Sequence, residues 1–325
     1  GFIDGLWPAL QRAVQWIQRY GDSDGDGLID YARGADSGLA NQGWKDSEDS
    51  VFHADGRFPR GPIALVEVQG YAFAAYRALA RLCELRGEAE AQGYWERRAD
   101  HVRAQVETRF WMPEADFYGI AVDGEGELCR TLSSNPGHLL FTGLVSPDRA
   151  RKVTGRLLSA AFDSGWGIRT LATGEARYNP MSYHNGSVWP HDTAVCTMGM
   201  ARYGERDGVV RMTSELFETA VNMGMRMPEL FCGFPRQAGE QPVAYPVACL
   251  PQAWAAGSAF MMLQACLGLR IDALAGEIVI QDPRLPIGID RLQVEGLRLG
   301  DDTVDLRFER DGRRVAVHAE GPSRG

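Results

Sequence analysis

Hydrophobic positions recur with a helical period through most of the chain. Between residues 6 and 20 they fall at Leu6, Leu10, Val14 and Ile17, which lie on one face of a helix. The same kind of spacing predicts further helices over residues 63–85, 88–110, 136–143, 147–159, 189–203, 209–223 and 251–268. The last of these segments is apolar nearly all round, which predicts a helix that is buried on most of its faces.

From Glu277 onward the period changes from about 3.6 to 2. Apolar residues now alternate with polar ones around residues 278–280, 292–299, 304–308 and 315–317, which predicts three or four antiparallel strands. Asp311 and Gly312 have the composition of a hairpin turn. We therefore expect an all-α domain over residues 1–273 and a small antiparallel β appendage with its tail over residues 274–325.

Three long connections interrupt the helical pattern, at residues 21–62, 164–190 and 228–251. They are rich in glycine and aromatic residues and carry several acidic groups. Long connections inside a folded domain are uncommon and tend to carry function, although they can also serve only to cap helix ends. We expect the functional residues in these three segments.

The start of the first connection, GDSDGDGLIDY, is typical of a calcium loop. Its candidate ligands are Asp22, Asp24, Asp26, the carbonyl of Leu28, and Asp30, which match positions 1, 3, 5, 7 and 9 of the twelve-residue calcium loop. Arg33 stands at the twelfth position, where a bidentate carboxylate is expected. A structural Ca²⁺ completed by another segment is one interpretation, and an Asp/Gly-rich turn without a metal is the other.

Several segments place a carboxylate or a hydrogen-bonding group next to an aromatic residue. They are NQGWKDSEDS, YNPMSYHNGSVWPHD, PELFCGF and VACLPQAWAAG. Aromatic faces stack on sugar rings while polar side chains reach hydroxyl groups, so this mixture favours a carbohydrate site. Asp46 and Glu229 would suit glycosidic hydrolysis, in which one carboxyl group protonates the leaving oxygen and the other activates water. The alternative is that both are ordinary solvated carboxylates.

Other chemistries find less support. His184 and His191 are seven residues apart, but Trp189 and Pro190 interrupt any continuous helical face between them, which argues against zinc. The sequence has no nucleophile elbow, dinucleotide fingerprint or phosphate loop, so we expect no organic cofactor. A net charge of −9 argues against nucleic-acid and anionic-membrane partners. Six cysteines without CxxC spacing predict buried, reduced thiols and a cytoplasmic location.

Six motifs in order carry a family resemblance: NQGWKDSEDS, SSNPGHLL, SGWGIRTL, YNPMSYHNGSVWPHD, PELFCGF and YPVACLPQAWAAG. Over about residues 1–310 the chain resembles bacterial amylo-α-1,6-glucosidase and glycogen-debranching-like proteins, which are related to glycoside hydrolase family 63 and to mannosylglycerate-hydrolase-like enzymes. The resemblance implies an (α/α)6 toroid and inverting hydrolysis of α-glycosidic bonds in an oligosaccharide or glycoside substrate. It implies Asp46 as general acid and Glu229 as general base. The implied sugar-binding residues are Trp44, Lys45, Glu67, Trp166, His184, Asn185, Trp189 and Gln252.

Some alternatives stay open. Asp49 and Glu67 compete with Asp46 for the role of general acid, and an inverting pair should lie roughly 6.5–9.5 Å apart. The chain opens on Gly1 rather than Met, and the resemblance implies a preceding β domain and further first helices. We therefore expect a piece of a longer protein, a shortened toroid, or a toroid that other chains complete. A toroid that epimerises or eliminates sugars, and a carbohydrate-binding fragment without activity, are the competing hypotheses.

Overall fold

The computed structural model describes residues 1–35 and 37–321. Within these residues the chain forms two compact units. The first contains residues 1–162 and 169–187, and the second contains residues 163–168 together with those from Val188 onward. The last four residues of the predicted appendage, 322–325, lie outside the described residues.

The first unit contains five helices. They are α1 (Phe2–Tyr20), α2 (Val66–Leu85), α3 (Ala89–Arg109), α4 (Pro136–Thr142) and α5 (Pro147–Leu157). Helix α2 packs against both α3 and α4, and α4 packs against α5. Apolar residues at helical spacing on α2, including Phe73, Tyr76 and Leu79, are buried in this packing. The periodicity of the sequence therefore corresponds to a helix that is covered on more than one side.

Five two-residue strands complete the first unit. They are β1 (Ala64–Leu65), β2 (Trp111–Met112), β3 (Phe117–Tyr118), β4 (Ala121–Val122) and β5 (Leu128–Cys129). Strand β4 pairs with β1 on one side and β5 on the other, while β2 pairs with β3, and all these pairs are antiparallel. A small core of Val51, Ile63, Leu65, Ile120 and Cys129 lies around the three-stranded sheet. This core attaches the 41–63 connection to the β4–β5 hairpin.

The second unit contains three helices, α6 (Pro190–Arg202), α7 (Asp207–Asn222) and α8 (Ala253–Leu267), which contact one another. Helix α6 begins with Pro190, whose fixed φ suits the first position of a helix and which has no N–H group to leave unbonded. Helix α8 ends at Gly268, which has a left-handed conformation.

Five strands follow α8 in the second unit. They are β6 (Leu269–Asp272), β7 (Glu277–Ile280), β8 (Arg291–Leu299), β9 (Asp302–Asp311) and β10 (Arg314–Glu320). The pair β6–β7 and the sheet β8–β9–β10 are antiparallel throughout. Phe308 and Leu306 on β9 are buried with Leu267 and Leu285 in one apolar cluster. Alternation along β9 therefore directs one of its faces into this core.

The eight predicted helices and the predicted C-terminal strands are all present, and the Asp311–Gly312 hairpin turn is confirmed. The expectation that the last helix is buried on most faces is wrong, because Phe260 on α8 is 77% exposed and Trp254 is 41% exposed. The cysteines of the described chain are free, and five are buried as expected, but Cys249 is exposed. No helix among the described residues is both long and apolar enough to span a membrane. The toroid itself stays a prediction.

Candidate functional site

The segment from Asn41 to Ser50 in the first unit is held by its own polar side chains. The Asn41 amide donates to the Ser47 carbonyl at 2.7 Å and accepts from the Tyr31 hydroxyl at 2.8 Å. The Ser50 hydroxyl donates to the Lys45 carbonyl at 2.6 Å. These bonds close the segment into a defined loop, so that Trp44, Lys45 and Asp46 have fixed backbone positions.

Lys45 is a buried cation in this loop. Its Nζ atom donates to the Thr170 carbonyl at 2.7 Å and to the Ser134 hydroxyl at 3.2 Å. It also lies 5.0 Å from the centre of the Trp44 ring, within the range of a cation–π contact. The buried ammonium group of Lys45 therefore holds the loop in place and supplies a positive charge beside Trp44.

Asp46 follows directly and is exposed, as is Glu48, whereas Asp49 is half-buried. An exposed carboxyl group between two anchored residues can meet a ligand without a large conformational change. The backbone carbonyl of Asp49 accepts a hydrogen bond from the Asn185 amide at 2.9 Å. The role of Asp46 as proton donor, with Asp49 and Glu67 as its competitors, stays a prediction.

The turn that contains His184 and Asn185 lies against the same loop within the first unit. The Nδ1 atom of His184 is 2.7 Å from the Ser47 hydroxyl, and its ring meets the Trp44 ring edge-on at 5.7 Å. Both His184 and Asn185 are buried. Four predicted sugar-site residues, Trp44, Lys45, His184 and Asn185, are thus brought together in the first unit.

Glu67 lies at the start of α2 and is 1% exposed. Neither of its carboxyl oxygens makes a hydrogen bond of ordinary geometry to a described residue. Burial raises the pKa of Glu67, while His138, the Asn135 side chain and Lys45 oppose that rise. Glu67 is therefore a buried acid that binds its proton more tightly than an ordinary glutamate.

His138 on α4 is a residue that the sequence analysis did not select. Its Nδ1 atom is hydrogen-bonded to the Tyr71 hydroxyl, and its ring lies nearly parallel to that of Trp44, with centres 6.0 Å apart. It is buried and, with Asn135 and Lys45, is one of the groups that counter the raised pKa of Glu67. The motif SSNPGHLL contained this histidine, but a lone histidine on an apolar helix is more often a core residue than a functional one.

Glu229 belongs to the second unit, and donors hold both oxygens of its carboxylate. Oε2 accepts from the Cys249 backbone N–H at 2.9 Å, and Oε1 accepts from the Gln252 amide at 3.2 Å. The Glu229 N–H in turn donates to the Cys249 carbonyl at 2.9 Å, so the two backbone segments are paired at this point. Hydrogen bonds to both oxygens stabilise the ionised carboxylate and fix its orientation.

Aromatic rings cluster near Glu229 along the second unit. Trp254 stacks on His191 with centres 3.8 Å apart and meets Trp189 edge-on at 5.8 Å. The Trp254 indole N–H donates to the same Gln252 side chain that contacts Glu229. Trp189 is buried, and the exposed ring of the cluster is that of Trp254, which was not among the predicted sugar-binding residues.

Trp166 also belongs to the second unit and is buried. The Arg236 guanidinium lies 4.3 Å from its ring centre, and Gly165 beside it has a positive φ that brings the backbone close to Arg236. One face of the Trp166 ring is therefore covered by a cation. A role of Trp166 in sugar binding stays a prediction.

The predicted calcium loop forms a tight turn in the first unit. Oxygens of Asp22, Asp24 and Asp30 lie within 4.8 Å of one another. Asp26 instead forms an ion pair with Arg109 at 2.8 Å, so its carboxylate faces another partner. Burial and the neighbouring carboxylates raise the pKa of Asp24, against a backbone hydrogen bond from Asp26 that lowers it. Calcium binding by Asp22, Asp24, Asp26, the Leu28 carbonyl and Asp30 stays a prediction.

Comparison with solved structures shows a shared fold at low sequence identity. A protein described as a sialidase superposes on 97% of this chain with a TM-score of 0.70 and 14% identity. A family 63 mannosylglycerate hydrolase from Thermus thermophilus covers 80% of this chain with a TM-score of 0.58 and 16% identity. The neutral trehalase Nth1 from Saccharomyces cerevisiae covers 68% with a TM-score of 0.50 and 13% identity.

This chain spans 30% of the length of the sialidase, 70% of that mannosylglycerate hydrolase and 41% of the trehalase. A comparison with curated proteins finds no match. A family model described as the mannosylglycerate hydrolase MGH1-like glycoside hydrolase domain matches residues 1–226, which is more than half of the chain and includes the Trp44–Asp46 loop. The chain therefore belongs to the family of MGH1-like glycoside hydrolase domains.

Proposed function

We propose that this protein hydrolyses α-glycosidic bonds by acid–base catalysis, with Asp46 as the general acid and Glu229 as the general base. The observation that carries the proposal is the hydrogen bonding of Glu229, whose two carboxylate oxygens are held by Cys249 N–H and Gln252. A general base must be ionised and correctly oriented toward water, and donors on both oxygens favour both conditions.

Asp46 suits the acid because its carboxyl group is exposed on an anchored loop. The carbonyl of the preceding residue, Lys45, accepts a hydrogen bond, and the Lys45 ammonium group is held by Thr170 and Ser134. The Asp46 backbone therefore has a fixed position, while its carboxyl group stays accessible to the leaving oxygen of the substrate. Water attack from the opposite face would invert the anomeric configuration.

Two sets of residues are candidates for sugar recognition, and each is described within its own unit. Trp44, His184 and Asn185 form the set in the first unit, where Lys45 Nζ lies 5.0 Å from the centre of the Trp44 ring. Trp254 supplies an exposed aromatic face in the second unit, and Gln252 links it to Glu229. Aromatic faces and convergent polar groups are the usual components of a carbohydrate site.

Two substrate classes follow from different observations. The sequence motifs resemble those of debranching-like enzymes, which favours α-linked glucosides and oligosaccharides. The matching family description favours mannosylglycerate, a small glycoside with an anionic aglycone. The (α/α)6 toroid and a cytoplasmic location belong to the same proposal, and the location is supported by five buried free cysteines.

The test is product release from a panel of α-glucosides, α-linked oligosaccharides and mannosylglycerate, followed by NMR to identify the first anomer formed. Glu229→Gln and Asp46→Asn should each lower kcat by about 10²–10⁴-fold, as expected for loss of general acid–base catalysis. Glu48→Gln, an exposed neighbour on the same loop, is the matched control and should retain activity. Full activity in Glu229→Gln, or retention of the anomeric configuration, would overturn the proposed mechanism.

A further inference from the structure

A second cluster of chemistry-bearing side chains lies in the first unit, on the β4–β5 hairpin and the loop beside it. One ring nitrogen of His53 and one carboxylate oxygen each from Asp123 and Glu127 lie within 4.8 Å of one another. None of these residues belongs to the proposed sugar site. His53 and Asp123 are buried, whereas the Glu127 side chain is 53% exposed.

The backbone holds the cluster in place. Oδ1 of Asp123 accepts hydrogen bonds from the N–H groups of Glu125 and Glu127, which shapes the turn between β4 and β5. The His53 N–H donates to the Arg57 carbonyl at 2.9 Å. The imidazole of His53 and the carboxylates of Asp123 and Glu127 therefore lie on two hydrogen-bonded turns. The other oxygen of Asp123, Oδ2, lies 3.1 Å from His53 Nε2.

The buried Asp123 carboxylate faces the imidazole of His53. Its side chain is 1% exposed, its Oδ2 lies beside His53 Nε2, and its Oδ1 is held by two backbone N–H groups. Arg57 forms its ion pair with the outer oxygen of Glu127 at 2.6 Å. The imidazole of His53 lies between two carboxylates, with Asp123 at Nε2 and Glu127 3.9 Å from Nδ1.

A divalent metal ion bound by these three side chains would lie between the imidazole and the two carboxylates. Zinc-type ligands lie about 2.0–2.2 Å from the metal, which places adjacent ligand atoms about 3.3 Å apart in tetrahedral geometry. The 3.1 Å between Nε2 and Oδ2 fits that separation. One imidazole and two carboxylates form a donor set that first-row transition metals accept, and water can fill the remaining position.

We propose that His53, Asp123 and Glu127 bind a divalent metal ion such as Zn²⁺. The ion would link the β4–β5 hairpin to the loop of residues 51–57. His53 coordinates through one ring nitrogen, and the ion pair with Arg57 holds the Glu127 side chain in place. The thiol of Cys129 lies 3.8 Å from Nε2 of His53. The site is independent of the proposed sugar chemistry.

The test is a titration of metal-stripped protein with Zn²⁺ against a chromophoric chelator, in excess Ca²⁺ so that oxygen-only sites are filled. The wild type should bind one equivalent, with a rise in melting temperature. His53→Gln removes the ligand but keeps an amide donor for Asp123, and Glu127→Gln changes a half-exposed side chain with little risk to folding. Each should weaken Zn²⁺ binding by at least about tenfold.

His318→Gln is the matched control, because His318 is an exposed histidine 4.0 Å from the carboxylate of Glu309. It should leave the dissociation constant unchanged. Absence of a stoichiometric Zn²⁺ ion in the wild type would show that the proposal is wrong. The proposal also fails if His53→Gln and Glu127→Gln both bind Zn²⁺ as tightly as the wild type.

Discussion

Glu215 on α7 should make the stability of this protein fall as the pH rises. Its Oε2 atom is buried without a hydrogen-bond partner among the described residues. Burial, followed by the nearby Asp163 carboxylate, raises the pKa of Glu215 to about 8, although Arg211 and Arg236 oppose the rise. At neutral pH the folded state therefore holds a proton on Glu215 that the unfolded chain has released.

The size of the effect follows from proton linkage. The window runs from the ordinary glutamate pKa of 4.5 in the unfolded chain to a pKa of about 8 in the folded state. Because the folded state binds the extra proton, the free energy of unfolding falls by about 1.4 kcal/mol for each pH unit within this window. The total loss over the window is at most about 5 kcal/mol.

Glu215→Gln keeps the shape of the side chain and removes its ionisation. We expect the variant to match the wild type near pH 5 and to be more stable at pH 8, as measured by urea unfolding at several pH values. Glu240→Gln is the control, because Glu240 is an exposed glutamate of the same unit. If the wild type and Glu215→Gln show the same pH dependence, the assignment of the retained proton to Glu215 is refuted.

Three further predictions concern the loops of the first unit. Lys45→Met should cost about 1–3 kcal/mol in urea unfolding, because it leaves buried acceptors unpaired, whereas Lys152→Met at an exposed ion pair should cost less than about 1 kcal/mol. Gly186→Ala should lower stability by about 1–3 kcal/mol, because a Cβ there would meet backbone at 2.6 Å with φ at +142°, while Gly174→Ala at an open position should be tolerated. Chelation by EGTA should lower the melting temperature of the wild type but not that of Asp24→Asn, and an unchanged wild type would count against calcium.

The helices could be predicted from sequence because their period is a local property. The apolar spacing that buries Phe73, Tyr76 and Leu79 on α2 is visible without knowing which elements cover that helix. The two-residue strands could not be predicted in this way, since Ala64 pairs with Val122, 58 residues away. Burial of α8 was misjudged for a related reason: composition gives the apolarity of Phe260, but only the packing shows that it is exposed.

The sequence identified the site loops but not the environment of their side chains. Lys45 and Asp46 are adjacent, yet one is buried against Thr170 and the other is exposed. Such a difference depends on partners more than a hundred residues away. His138 was missed because its importance comes from Tyr71 and Trp44, which contact it from other elements.

Two buried glutamates show why residue type alone does not assign a role. Glu229 has donors on both oxygens, which favours the carboxylate that a general base requires. Glu67 has no hydrogen bond of ordinary geometry among the described residues, and burial raises its pKa, which favours the protonated acid. The partners of Glu229 come from a segment about 20 residues further along the chain, whereas Glu67 lies in the first turn of a helix whose start is buried. The surroundings of the two glutamates therefore favour opposite protonation states, which supports Glu229 as the proposed base and Glu67 as a competing candidate for the acid.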